Sequence, residues 1–117
     1  MVLVKIKEKI KIYNEGESGY QINVDLNGET IKNSIYLSAR EYASLHSEYG
    51  HFLGDAVNKF IESNNLQYKV ALISSHGHTT FHVPGSYSAQ LGDGAAIAAK
   101  TGLPVVSDLR AMDVALG

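Results

Sequence analysis

Around Ser38 the spacing of apolar residues changes from two to about three and a half, so a strand region must give way there to a helix. Before that point Val2, Val4, Ile6, Ile10 and Ile12 share one parity, and Lys5, Lys7, Lys9 and Lys11 the other. A period of two gives a strand one buried and one wetted face, and lysines along it discourage pairing with foreign strands. Asn14 to Gly19 reads as a turn, and Tyr20, Ile22, Val24 and Leu26 as a second strand. Asn27-Gly28 tolerates the positive φ angles of a tight hairpin, which makes Thr30 to Leu37 the third strand of a meander. Beyond it, Ser38 and Glu41 have capping-box spacing, in which each side chain satisfies an unpaired amide of the first turn. Tyr42, Leu45, Tyr49, Phe52, Leu53, Ala56, Val57, Phe60 and Ile61 then predict a long helix ending near Ser63-Asn64-Asn65. Gly50 and Gly54 lie inside it, each costing about 1 kcal/mol relative to alanine, so a close crossing against a sheet or a second helix is expected.

The rest of the chain is denser in turns. Tyr68 to Ile73 reads as a buried strand with Ser74-Ser75-His76-Gly77 at its carboxyl end, and Tyr87 to Leu91 as a brief strand. Asp93 caps a helix over Ala95 to Lys100, Gly102 ends it, and Pro104 to Ser107 forms another strand that leads into Asp108 and Arg110. Ligands collect at the carboxyl ends of strands in open α/β sheets. The glycines and small polar residues from Ser74 to Gly117 therefore read as one wall of a ligand site. Meander, long helix, strand, short helix and strand is an α/β order similar to a ribonuclease H-like domain, the half-unit of actin-like ATPases and sugar kinases.

Composition narrows the function classes. At 117 residues and 44% hydrophobic content the chain is expected to form one domain. A net charge of -2 gives no basic footprint for a phosphate backbone, which argues against nucleic acid as a partner. Without cysteine there is no disulfide framework and no thiolate metal site, as suits a reducing compartment. Apolar runs of only a few residues and the lack of a signal-peptide pattern predict a cytoplasmic protein with no membrane partner.

Three segments carry a resemblance: LHSEYGHFLGDAVNKFIE (45–62), SSHGHTTFHVP (74–84) and QLGDGAAIAAKTGLPVVSDLRAMDVALG (90–117). Their His-Gly-(Gln/His)-Thr, Gln-(Ile/Leu)-Gly-Asp and Asp-(Phe/Leu)-Arg-x-x-Asp-(Val/Met)-Ala-x-Gly blocks occur in the order of the anhydro-N-acetylmuramic acid kinase family, whose amino-terminal lobe this chain resembles. The resemblance implies an enzyme of peptidoglycan recycling that uses ATP, magnesium and water to open the 1,6-anhydro ring of the amino sugar and phosphorylate O6. The family's Gly-Thr-Ser-x-Asp-Gly phosphate loop has no counterpart before Val2 or at Asn14 to Gly19, and its Gly-Gln-Gly-Ala-Pro and Asp-Thr-Gly-Pro-Gly-Asn blocks are not among these residues. The resemblance thus implies a partial ribonuclease H-like domain, with the remainder of the kinase as its partner. Positioning and charge neutralisation are nearly all of phosphoryl-transfer catalysis, so this reading assigns no catalytic residue, no cofactor held by these residues alone and no independent activity. A sheet edge left open where the family's first strand belongs would also favour self-association.

By that resemblance, and because a guanidinium fork matches a carboxylate, Arg110 is the candidate for holding the sugar's lactyl carboxylate; an ion pair with Asp108 or Asp113 is the alternative. Asp93 either accepts from sugar hydroxyls or caps its helix. Gln90 and His76, beside Gly92 and Gly77, either contact the sugar or satisfy loop backbone, and Asp108 and Asp113 either orient Arg110 or are solvated. Two readings from other classes remain. His76, His78 and His82 have the spacing of a three-imidazole zinc site for a hydrolase, and the wall could belong to a non-catalytic module that binds a sugar or a protein.

Overall fold

The computed structural model describes residues 5–14, 20–27 and 37–117. Strand β1 spans Lys5–Asn14 and β2 Tyr20–Asn27, paired antiparallel in a register that sets Ile6 against Leu26, Ile10 against Ile22 and Ile12 against Tyr20. Even positions thus meet even positions across the ladder, as the period of two requires. The expected turn at 15–19, Gly28 of the hairpin, and the expected third strand up to residue 36 lie outside the described residues.

Helix α1 covers Ala39–Ser63. Its capping box is complete: the Glu41 amide donates to Ser38 Oγ at 3.2 Å, and the Ser38 amide donates to Glu41 Oε1 at 3.3 Å. Both bonds pair amides that have no partner within the helix, and they hold the Glu41 carboxyl below the usual carboxylate range, the Ser38 side chain contributing most. The helix ends at Asn64, whose side chain donates to the Phe60 carbonyl at 2.9 Å.

Strand β3 runs from Val70 to Ser75, two residues later than the apolar run suggests. Tyr68 has a φ of 63° and is fully exposed at 107%, so the chain is still turning there. Strand β4 (His78–Val83) and β5 (Tyr87–Leu91) form a hairpin of their own. The Ser86 amide donates to the Val83 carbonyl across Pro84-Gly85, the residue pair that favours such a turn. Helix α2 (Gly94–Thr101) is capped by Asp93 and stopped by Gly102 in the left-handed region. Strand β6 is only Val105–Val106, and helix α3 covers Ala111–Leu116. Neither β4 nor α3 is expected from apolar periodicity, because the hairpin is half exposed and α3 has no buried residue.

The main sheet has the order β2-β1-β3-β6, with β1 antiparallel and β6 parallel to β3. The described residues therefore form a mixed α/β structure with three helices. Its core gathers Tyr49, Leu53 and Val57 of α1, Val70 and Ile73 of β3, Leu91 of β5 and Ile97 of α2, with Leu66 beside them. Gly50 and Gly54 mark a helix-to-helix crossing. A Cβ on Gly50 would stand 2.9 Å from that of Ala96, and one on Gly54 2.6 Å from that of Lys100. The crossing is held at its rim by Asn58 Nδ2, which donates to the Lys100 carbonyl at 2.9 Å. No helix among the described residues is long and apolar enough to cross a membrane.

Candidate functional site

Three chain segments turn beside one another: Ser75-His76-Gly77 after β3, Gly92-Asp93-Gly94 after β5, and Ser107-Asp108 after β6. They line a cavity of about 470 Å³ together with Tyr42, Ala43 and His46 of α1 and Ser88 to Gln90 of β5. Gly77 makes the meeting of two of these turns possible. Its φ is 73°, and a Cβ there would lie 2.6 Å from the Leu91 carbonyl oxygen, which no side chain tolerates.

Of the residues expected at the site, His76, Gln90, Gly92, Asp93 and Asp108 line this cavity, and Gly77 is buried against Gln90 and Leu91 without lining it. Asp93 does serve as a cap: its Oδ1 accepts from the Ala95 amide at 3.0 Å. His76 Nδ1 lies 3.1 Å from the Gly77 carbonyl, to which it donates in the tautomer that bond demands. Gln90 is anchored by its amide nitrogen, which donates to Ser88 Oγ at 2.8 Å and to Thr79 Oγ1 at 3.2 Å. Asp108 holds a φ of 57°, a conformation aspartate tolerates better than most side chains, and its carbonyl accepts from the Ala111 amide.

Arg110 and Asp113 are placed differently. They line an adjoining cavity of about 310 Å³ with His82, Pro84, Gly85 and Val114. Arg110 still communicates with the larger cavity, because its Nη1 donates to Thr79 Oγ1 at 3.4 Å, the same hydroxyl that receives Gln90. Among the described residues neither Asp108 nor Asp113 pairs with it; Lys100 and Asp55 form an ion pair at 3.3 Å elsewhere, between the two crossing helices.

The zinc arrangement of His76, His78 and His82 is not formed. Among the described residues no group of three or more histidine or acidic side chains could hold a metal ion. The physical reason is the hairpin: His76 precedes it, facing the larger cavity, whereas His82 lies near its far end beside Arg110.

Sequence reasoning assigned no site role to Tyr42 or His46. Tyr42 was absorbed into the apolar periodicity of α1, and His46 counted only as a residue of that helix. Tyr42 donates its hydroxyl to Thr80 Oγ1 at 3.1 Å and sets its ring 6.2 Å from that of Phe81, fixing the hairpin against the helix. His46 receives two backbone amides from the turn after β5. Polar residues on the helix face toward the cavity were the available signal.

Hydroxyls, an amide, imidazoles and two carboxylates around an open cavity suit the hydroxyl-bearing part of a ligand. They do not suit a triphosphate, since among the described residues no lysine or arginine lines the larger cavity. A family model, that of anhydro-N-acetylmuramic acid kinase, matches residues 2–117. The chain belongs to the anhydro-N-acetylmuramic acid kinase family. Membership extends over the first two strands as well as the segments that carry the motifs. A kinase family of this kind acts on an amino sugar and takes its phosphoryl group from ATP with magnesium. Among the described residues the larger cavity offers no cation to that nucleotide's phosphates.

Proposed function

We propose that these 117 residues supply part of the sugar-binding wall of a cytoplasmic, ATP-dependent kinase that opens and phosphorylates 1,6-anhydro-N-acetylmuramic acid in peptidoglycan recycling. The observation that carries this reading is a cavity at strand carboxyl ends lined by His76, Gln90, Gly92, Asp93 and Asp108, residues of the blocks that resemble the family. The Asp93 cap engages Oδ1, and Oδ2 of the same carboxylate accepts from a sugar hydroxyl. Gln90 and His76 make further directional contacts. Arg110, reached through Thr79, holds the lactyl carboxylate in the adjoining cavity, which Asp113 also lines. The parallel pairing of β3 with β6 and the helix crossing favour a ribonuclease H-like lobe, with nucleotide and magnesium gripped by sequence outside these residues. Self-association of the chain along a sheet edge belongs to the same proposal.

The test is to join the chain to a phosphate loop and to the lobe bearing the family's Asp-Thr-Gly-Pro-Gly-Asn block, and to measure ATP-dependent phosphorylation of the anhydro sugar. Turnover by the joined protein and none by the 117 residues alone is the expected result. A joined, folded protein that leaves the sugar unphosphorylated overturns the reading, as does ATP turnover by these residues alone.

A further inference from the structure

We infer that His46 is a positioning residue for the sugar site, fixing the Gly92-Asp93 turn and with it the direction of the Asp93 carboxylate; the inference rests on the cavity being the sugar site. The Gly92 amide donates to His46 Nδ1 at 3.1 Å, and the next amide, that of Asp93, donates to the His46 backbone carbonyl at 3.1 Å. One residue of α1 therefore receives two successive donors from a turn far along the chain. One helical turn later Gly50 completes the cradle. Its missing side chain lets the Asp93 backbone come so near that a Cβ would lie 2.5 Å from the Asp93 carbonyl oxygen and 2.9 Å from its nitrogen.

The chemistry requires an acceptor, not merely bulk. To receive an N–H, Nδ1 must carry no proton, so the neutral ring bears its proton on Nε2. Gly92, at a φ of 116°, has no side chain with which to hold the turn itself. Asp93 leaves that turn with its carbonyl accepting from the Ile97 amide and Oδ1 from Ala95. A turn fixed at both amides thus aims a carboxylate that α2 fixes from the other side, which is the arrangement an oriented contact to a hydroxyl needs.

Two substitutions separate acceptor from bulk. His46→Leu keeps much of the volume and removes the acceptor. His46→Asn places an amide oxygen the same number of bonds from the backbone as Nδ1. Hydrogen exchange at the Gly92 amide is measured on the chain and affinity for 1,6-anhydro-N-acetylmuramic acid on the joined kinase, with thermal unfolding to verify that each variant folds. We expect His46→Leu to speed Gly92 exchange and weaken sugar binding by about tenfold each, the scale of one lost hydrogen bond. His46→Asn restores both. Unchanged Gly92 exchange in the leucine variant overturns the inference. So does an asparagine variant that protects Gly92 yet binds the sugar as weakly as the leucine variant, since His46 would then touch the sugar directly. If the unaltered joined kinase binds no anhydro sugar, the sugar reading fails and so does the purpose assigned to His46; the exchange comparison still decides whether His46 holds the turn.

Discussion

A Cβ placed on Gly50 would stand 2.5 Å from the carbonyl oxygen of Asp93, so the long helix and the cap of the short one share a contact that only glycine allows. Alanine there would gain about 1 kcal/mol of helix propensity. The neighbour is backbone already bonded at both ends of the turn, so it cannot yield without losing those bonds. Gly50→Ala is therefore expected to destabilise the fold by about 1–3 kcal/mol in urea unfolding, as overpacking does elsewhere. A more stable variant would show that the helices part at no cost.

Asp93 has two functions that substitution can divide. Asparagine caps a helix about as well as aspartate, while alanine costs about 1 kcal/mol. Asp93→Asn should leave the unfolding midpoint nearly unchanged and weaken sugar binding, because the charged acceptor is gone; Asp93→Ala should lose both. Sugar affinity unaffected in a folded Asp93→Asn protein would restrict Asp93 to its cap.

Arg110 lines the adjoining cavity and reaches the rest of the site through the Thr79 hydroxyl. In the joined kinase Arg110→Ala is expected to weaken sugar binding by about 1.5–3 kcal/mol, the range of a hydrogen bond to a charged group. Arg110→Lys should recover only part of it, since an ammonium cannot form the paired fork. Titration calorimetry with the anhydro sugar measures both, and unaltered affinity in Arg110→Ala removes the assignment.

The start of α1 gives a pH-dependent prediction. The Ser38 hydroxyl and amide hold the Glu41 carboxyl below its usual range, so the group binds its proton less readily folded than unfolded. Its contribution is present above the unfolded value and is lost as pH falls through the folded one. Glu41→Gln should flatten the acid side of the stability curve in that window. Ser38→Ala should cost about 1 kcal/mol at neutral pH, with both effects read from thermal unfolding across pH.

Much of the backbone was legible because local rules carry it. The Ser38 and Glu41 box, the Asp93 cap, Gly102 as a stop and the parity of β1 against β2 each depend on residues close in sequence or on a period of two. Strand β4 and helix α3 escaped because their faces are half open: Met112 is 73% and Leu116 80% exposed, so neither element writes a clear apolar period. The Val83-Pro84-Gly85-Ser86 turn was the signal that could have found the hairpin.

The family blocks brought His76, Gln90, Gly92, Asp93 and Asp108 to notice, and the chain's membership of a sugar kinase family was written in them. What the residues alone could not decide was which of these share a cavity, that Arg110 lies one hydroxyl away in another, and that three histidines spaced for zinc are held apart. His46 was given no site role, because its partners Gly92 and Asp93 are 46 and 47 residues distant in the chain. Spacing fixes the geometry of neighbours along one element, whereas contacts between elements depend on how closely backbones approach, and here that was decided by glycines at a helix crossing.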